Sequence, residues 1–171
     1  MKIRTIVLCT IILIVIEQVI KFIISGYYRD INFDIIPSLL EFKPTLNNNS
    51  FYWLGILGID VGRWVRLTTS IILLTVLCLF CFYIRTILKK EKIIDIGFMF
   101  GFAGIICSSC DNIFFGGSWD YVYLKPLFVF DLKDVYLNCF ACLFLIGYVK
   151  NKKRLASVKA IDIWNIIRRK Q

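Results

Sequence analysis

Apolar residues run almost unbroken through four stretches of the chain, Thr5 to about Ile24, about Leu67 to Leu88, about Ile93 to Cys110 and about Val135 to Val149. A helix needs about 20 apolar residues to cross a hydrocarbon core of roughly 30 Å, and the pattern predicts four transmembrane helices. The third and fourth are short, which suits thin or partly wet ends. Between the first two spans the pattern changes. Residues 26–66 carry Pro37, Pro44, the run Asn47 to Asn49, Gly55, Gly58 and Gly62 between short aromatic and β-branched stretches, which predicts a small β-sheet subdomain on the membrane surface. Phe51, Tyr52, Trp53 and Trp64 suit that interface. Past the fourth span, Val158, Ile161, Trp164 and Ile167 recur at helical spacing before Arg168 to Lys170, the mark of a basic amphipathic helix lying on a leaflet. The expected fold class is a mainly α membrane protein, with a four-span domain over 1–155 and an interfacial tail over 156–171.

Composition strengthens this picture. Side chains are 58% hydrophobic and 19% charged, and the mean hydropathy is +0.73, which leaves no room for a large soluble domain. The formal charge of +9, from 21 Lys and Arg against 12 Asp and Glu, is strongly sided. Lys2 and Arg4 precede the first span, Arg85, Lys89, Lys90 and Lys92 follow the second, and Lys150, Lys152, Lys153 and Arg154 follow the fourth. The positive-inside rule puts these clusters and both termini in the cytoplasm, and residues 26–66 and 111–133 outside. The basic excess is thus topological, and no nucleic-acid partner is expected. Glu17, Gln18 and Lys21 interrupt the first span where a signal peptide would show small residues, so a retained helix is expected. Cys9 follows the bulky Leu8 and does not fit a lipid-acceptor site. There is no histidine, which removes Ser-His-Asp and Cys-His chemistry and the commonest metal ligand. Catalysis must then use carboxylates, thiols or lysine, with no metal or cofactor expected.

Ionisable groups at the edge of a span are costly, and two constellations stand out. Asp111 ends the third span and Asp134 starts the fourth, at the same depth and on the outside. If the two helices are neighbours, the carboxyls approach, cannot both ionise, and become an acid and base pair. The same residues also suit plain helix ends, Asp134 as an N-cap and Asp111 as a solvated group. The second constellation is cysteine, with the pairs Cys78/Cys81, Cys107/Cys110 and Cys139/Cys142 at C-x-x-C spacing. Cys107/Cys110 lies at the outer face and fits a membrane thiol-disulfide oxidoreductase, whereas pairs inside helices serve equally as small apolar side chains.

At the carboxylates the chain resembles the lipoprotein signal peptidases (signal peptidase II), four-span aspartic proteases of bacterial membranes. The family's D-Q-x-x-K resembles Glu17-Gln18-Val19-Ile20-Lys21, and its N-x-G-x-x-F resembles Asn47-Asn48-Asn49-Ser50-Phe51-Tyr52. Its D-R-x-x-x-G-x-V-x-D-F resembles Asp111-Asn112 followed by Gly116, Ser118, Asp120 and Tyr121, and its F-N-x-A-D resembles Phe130-Asp131-Leu132-Lys133-Asp134. The departures are Glu17 for Asp, Asn112 for Arg, Asp131 for Asn, and Cys107-Ser108 for the G-N that precedes the third motif. The resemblance implies hydrolysis of the bond before a diacylglyceryl-modified cysteine in a prolipoprotein at the outer leaflet of the cytoplasmic membrane. It implies Asp111 and Asp134 as the dyad, with Asn47, Gln18, Lys21, Ser108, Asp131 and Asn112 around the substrate. Partners would be that prolipoprotein and membrane lipids, for a monomeric enzyme. Asp131 adds a negative charge beside Asp134 that should raise the pair's pKa unless Lys133 or Lys125 offsets it. The alternatives are the Cys107/Cys110 oxidoreductase and a catalytically impaired paralogue that binds without cleaving.

Overall fold

The computed structural model describes residues 1–48, 62–88 and 91–156. The predicted tail helix and the aromatic run from Phe51 to Trp53 lie outside these residues. Among the described residues are four long helices, α1 (Ile3–Tyr27), α2 (Arg63–Ile87), α3 (Lys92–Phe114) and α4 (Leu132–Ala156), each long and apolar enough to cross a membrane. All four start before and three of them run past the apolar cores read from sequence.

Helix α3 is the hub, packing against α1, α2 and α4. Small residues let α4 come close. A Cβ on Gly104 would meet Leu137 Cδ2 at 2.6 Å, and one on Gly101 would meet the Phe140 ring at 3.1 Å. From the other side, Gly147 of α4 leaves the space that Ile94 fills, at 2.4 Å from where its Cβ would be. Leu77, Ile84, Ile87, Leu88, Ile94 and Phe98 form the apolar core at this end, with Phe80, Phe140 and Phe144 against it. By contrast Val7, Leu8, Ile11, Ile12, Val15 and Ile16 of α1 point outward and stay about half exposed, as side chains facing lipid must.

One end of the bundle gathers basic groups. The N-terminal amine and Arg85 both pair with buried Asp95, and Lys150 reaches Glu91 at 3.6 Å. The other end carries an antiparallel four-stranded sheet in the order β1 (Phe33–Ile36), β2 (Leu40–Asn47), β3 (Ser118–Leu124), β4 (Phe128–Phe130). The sequence reading placed a sheet in the first outer segment alone, whereas half of it comes from the link between α3 and α4. Ser118–Tyr121 alternate polar and aromatic side chains, and Ser118–Leu124 pairs with β2 from Leu40↔Leu124 to Asn47↔Ser118. The register slips between Phe42 and Thr45, where Pro44 cannot donate to the ladder.

Candidate active site

The first motif folds onto one inward face of α1, where Glu17 and Lys21 are fully buried and Gln18 nearly so. The Lys21 ammonium donates to Asp111 Oδ2 at 2.5 Å, to Asp131, and to Ser118 Oγ at 3.0 Å, and lies 3.2 Å from Glu17 Oε1. Gln18 Nε2 donates to the other Asp111 oxygen at 3.1 Å. The Tyr121 hydroxyl, held by burial well above its ordinary range, donates to Glu17 Oε2 at 3.1 Å. Asp111 is thus enclosed, with both oxygens occupied. It does not face Asp134 across a cavity as the sequence reading expected, because it points inward toward α1.

The carboxylate that meets Asp134 is Asp120. At the end of α3 the chain turns through Gly116, whose φ of +73° is a left-handed conformation that favours glycine. A Cβ on the next residue, Gly117, would lie 2.8 Å from the Asn47 carbonyl oxygen. This close crossing sets β3 against the end of β2, and Asn47 Nδ2 donates to Asp120 Oδ2 at 2.9 Å. Asp134 arrives from the first turn of α4. Asp131 is the N-cap of that helix, accepting from the Asp134 N–H at 3.1 Å, while the Asp134 carboxylate accepts from the Asp131 N–H at 3.3 Å. This reciprocal arrangement is a capping box with the cap three residues earlier than Asp134, the expected position. Oxygens of Asp120, Asp131 and Asp134 lie within 4.8 Å of one another.

Asp120 and Asp134 sit in the wall of a cavity of about 460 Å³, together with Asn47, Arg66, Ser108, Asn112, Ser118 and Lys133. Leu127, Phe128, Val129 and Leu137 supply its apolar side. Burial pushes the Asp120 carboxyl up, against the downward pull of the Lys133 ammonium. Burial also acts to raise Asp131, but Lys133 and Lys21 overcome it and hold that carboxyl at about 2. Lys133 therefore offsets the added charge of Asp131, at 2.6 Å, and Lys125 does not, being paired with Asp34 and Glu41 across the sheet. Arg66 occupies ground that no motif assigned to it. From α2 it donates to Asn112 Oδ1 at 2.7 Å and to the Gly116 carbonyl at 2.6 Å, so a guanidinium stands beside the position where the motif has its arginine.

Of the residues singled out from sequence, Asn47, Ser108, Asn112 and Asp134 line the cavity, and Asp111, Gln18, Lys21 and Asp131 are not among its lining residues. Asp120, Ser118, Arg66 and Lys133, none of them named as a site residue from the sequence, also line it. Asp120 was legible as the second aspartate of its motif, whereas Arg66 carries no local signal. Cys107 is fully buried and Cys110 half-buried near the sheet end of α3, both as free thiols.

Four spans, a capping sheet and carboxylates opening on one cavity define a multi-pass membrane protein with the elements of a hydrolytic site. A sequence model described as signal peptidase (SPase) II matches residues 9–150, and the chain belongs to the signal peptidase II family. It is a bacterial membrane peptidase with a lipoprotein signal peptidase function. Among curated proteins none matches the chain. Among solved structures, a bacterial membrane enzyme determined in meso at 2.3 Å resolution superposes with a TM-score of 0.73 at 21% identity, covering 93% of this chain and 96% of its own. A second, at 1.9 Å resolution, gives a TM-score of 0.73 at 22% identity, covering 88% and 96%. The likeness extends the shared fold over nearly the whole molecule.

Proposed function

We propose that the chain is an aspartic endopeptidase whose dyad is Asp120 and Asp134, acting on the bond before a diacylglyceryl-modified cysteine. The observation that carries this reading is the meeting of two carboxylates from different elements, β3 and α4, in the wall of one open cavity. Their environments differ, as an acid and base pair requires. The Asp120 side chain is 5% exposed and that of Asp134 39% exposed, and the pair shares one proton, so that one member is ionised while the other is protonated. The ionised member takes a proton from a water between them as that water attacks the scissile carbonyl. The protonated member donates to the carbonyl oxygen. Collapse of the tetrahedral intermediate releases a carboxylate on the signal peptide and the amine of the modified cysteine.

The substrate class fits the surroundings. Beyond Asp134 an apolar hollow of about 630 Å³ continues between the sheet and α4, lined by Leu124, Phe128, Phe130, Val135, Leu137 and Cys142 among others. An acyl chain entering from the lipid would lie there with its backbone at the dyad. The basic helix ends support a topology with the opposite end of the bundle in the cytoplasm and the sheet outside. The test is to incubate the purified protein with a diacylglyceryl-modified prolipoprotein and follow release of the signal peptide. Asp120→Asn and Asp134→Asn should each abolish release, and the pair Cys107→Ser with Cys110→Ser should retain it. Cleavage by either asparagine variant would overturn the dyad, and loss with the serine pair alone would restore the oxidoreductase.

A further inference from the structure

The first turn of α4 brings a lysine into the cavity between the two carboxylates. Lys133 Nζ lies 3.4 Å from Asp120 Oδ1 and 3.9 Å from Asp134 Oδ1. Its shorter bonds go elsewhere, to Asp131 Oδ2 at 2.6 Å and Ser118 Oγ at 2.7 Å. We propose that Lys133 is a positioning residue for the reaction, an anchored counter-cation that sets the pH range in which the Asp120/Asp134 pair shares a single proton. The inference rests on the dyad reading above and deepens it.

The geometry separates two jobs. Asp131 and Ser118 fix the ammonium, so its place does not depend on the dyad's protonation state. The longer approaches, a 3.4 Å hydrogen bond to Asp120 Oδ1 and a 3.9 Å separation from Asp134 Oδ1, are weaker holds that water or the peptide can displace, while a unit positive charge within 4 Å still favours the ionised forms. Other charges face this group from each neighbouring element. Lys21 approaches from α1 with Glu17 behind it, Arg66 lines the same cavity from α2, Asp111 lies 3.8 Å away on α3, and Asp131 caps α4. Lys21 is committed to Glu17, Asp111 and Asp131, and Arg66 to Asn112 and Gly116. Lys133 is the cation among these that stands within 4 Å of both dyad members. Removing it takes away the charge that holds the Asp120 proton affinity down, so both limbs of the rate profile should move to higher pH.

The experiment is the pH dependence of kcat and of kcat/KM for cleavage of a diacylglyceryl-modified prolipoprotein by the full-length protein in detergent. The variants are Lys133→Met, Lys133→Arg, the pair Asp131→Asn with Lys133→Met, and Asp120→Asn. Lys133→Met should move the bell upward by about one pH unit or more, as expected for loss of an adjacent opposite charge. Lys133→Arg, which keeps the cation, should hold the wild-type profile to within about half a unit. The double variant, which removes the carboxylate with its counter-cation, should recover most of the rate that Lys133→Met loses at neutral pH. A Lys133→Met profile lowered uniformly with unmoved limbs would overturn the proposal, leaving Lys133 a packing and solubility group. If Lys133→Met fails to accumulate, the double variant decides. Accumulation with cleavage supports the inference, and accumulation without cleavage overturns it. An active Asp120→Asn would sink the dyad itself, whereas an inactive Asp120→Asn with an unmoved Lys133→Met profile would sink only the role of Lys133.

Discussion

Two groups of acids sit side by side at the sheet end of the bundle and are treated in opposite ways. Around Lys21, Asp111 and Glu17 are closed in, with an ammonium and amide or phenol donors on them. Around the cavity, Asp120 and Asp134 line its wall, and the cation between them lies 3.4 Å from Asp120 Oδ1 and 3.9 Å from Asp134 Oδ1. The residue types are the same. Carboxylates enclosed among fixed partners buttress a fold, because those partners repay their desolvation, and carboxylates in the wall of a cavity that water can enter can move protons. The contrast assigns roles that position at a helix end does not.

The sharpest way to break the comparison is to neutralise one acid from each group. Asp120→Asn and Asp134→Asn should lower cleavage by about three orders of magnitude at unchanged expression, the usual scale for loss of a general acid or base. Asp111→Asn should leave cleavage within about tenfold of wild type and instead lower the melting temperature in detergent. Next in size is Lys21→Met, which strands Glu17, Asp111 and Asp131 without their shared ammonium and should cost about 3–5 kcal/mol. Depletion from the membrane fraction checks it.

A subtler division lies inside the buttressing group. Because Asp131 is held at about 2 by Lys133 and Lys21 against burial, its folded value is below its unfolded one. Its contribution, about 2 kcal/mol, is complete above the ordinary carboxylate value near 3.8 and is lost as pH falls through about 2. Melting temperatures of the wild type and Asp131→Asn should therefore converge between about pH 4 and pH 2. Asn47→Ala removes a donor to the dyad and should slow cleavage about tenfold, the worth of one hydrogen bond to a charged group, while Asn48→Ala should do little. The smallest effect concerns the sheet. Ser38 holds a φ of +63° in the turn joining β1 and β2, and Ser38→Gly should add about 0.5 kcal/mol of stability without touching cleavage.

The four spans, the sidedness of charge and the family were all legible because hydropathy and motif order act over long windows. The sheet was half legible. Pro37, Pro44 and the asparagine run mark β1 and β2, but β3 and β4 were read as a link, since Lys125 and Pro126 look like a loop until β2 supplies a neighbour. Of the proposed dyad, Asp134 was named from the sequence and Asp120 passed over for a reason of depth. Symmetry about the membrane pointed to Asp111, and only the left-handed turn at Gly116 shows the chain leaving α3 to return with a second aspartate. Arg66 enters from a distant helix, so no spacing in the chain announces it. Lys133 was visible as an offsetting charge, but its place between the two acids depends on the capping box that sets the register of α4.

The Glu17–Lys21 pair also bears on how the protein is made. The two residues are one turn apart on α1, 3.2 Å between charged atoms, and α1 leaves the ribosome long before Asp111 or Asp131 is synthesised. A lone lysine at that depth would weigh against lateral release of the first helix into lipid. With its own acid a turn away, the nascent helix is electrically neutral on that face and carries its counter-charge with it. When α3 and α4 follow, the lysine has only to widen its allegiance to their carboxylates, so the order of synthesis is written into the chemistry of the first span.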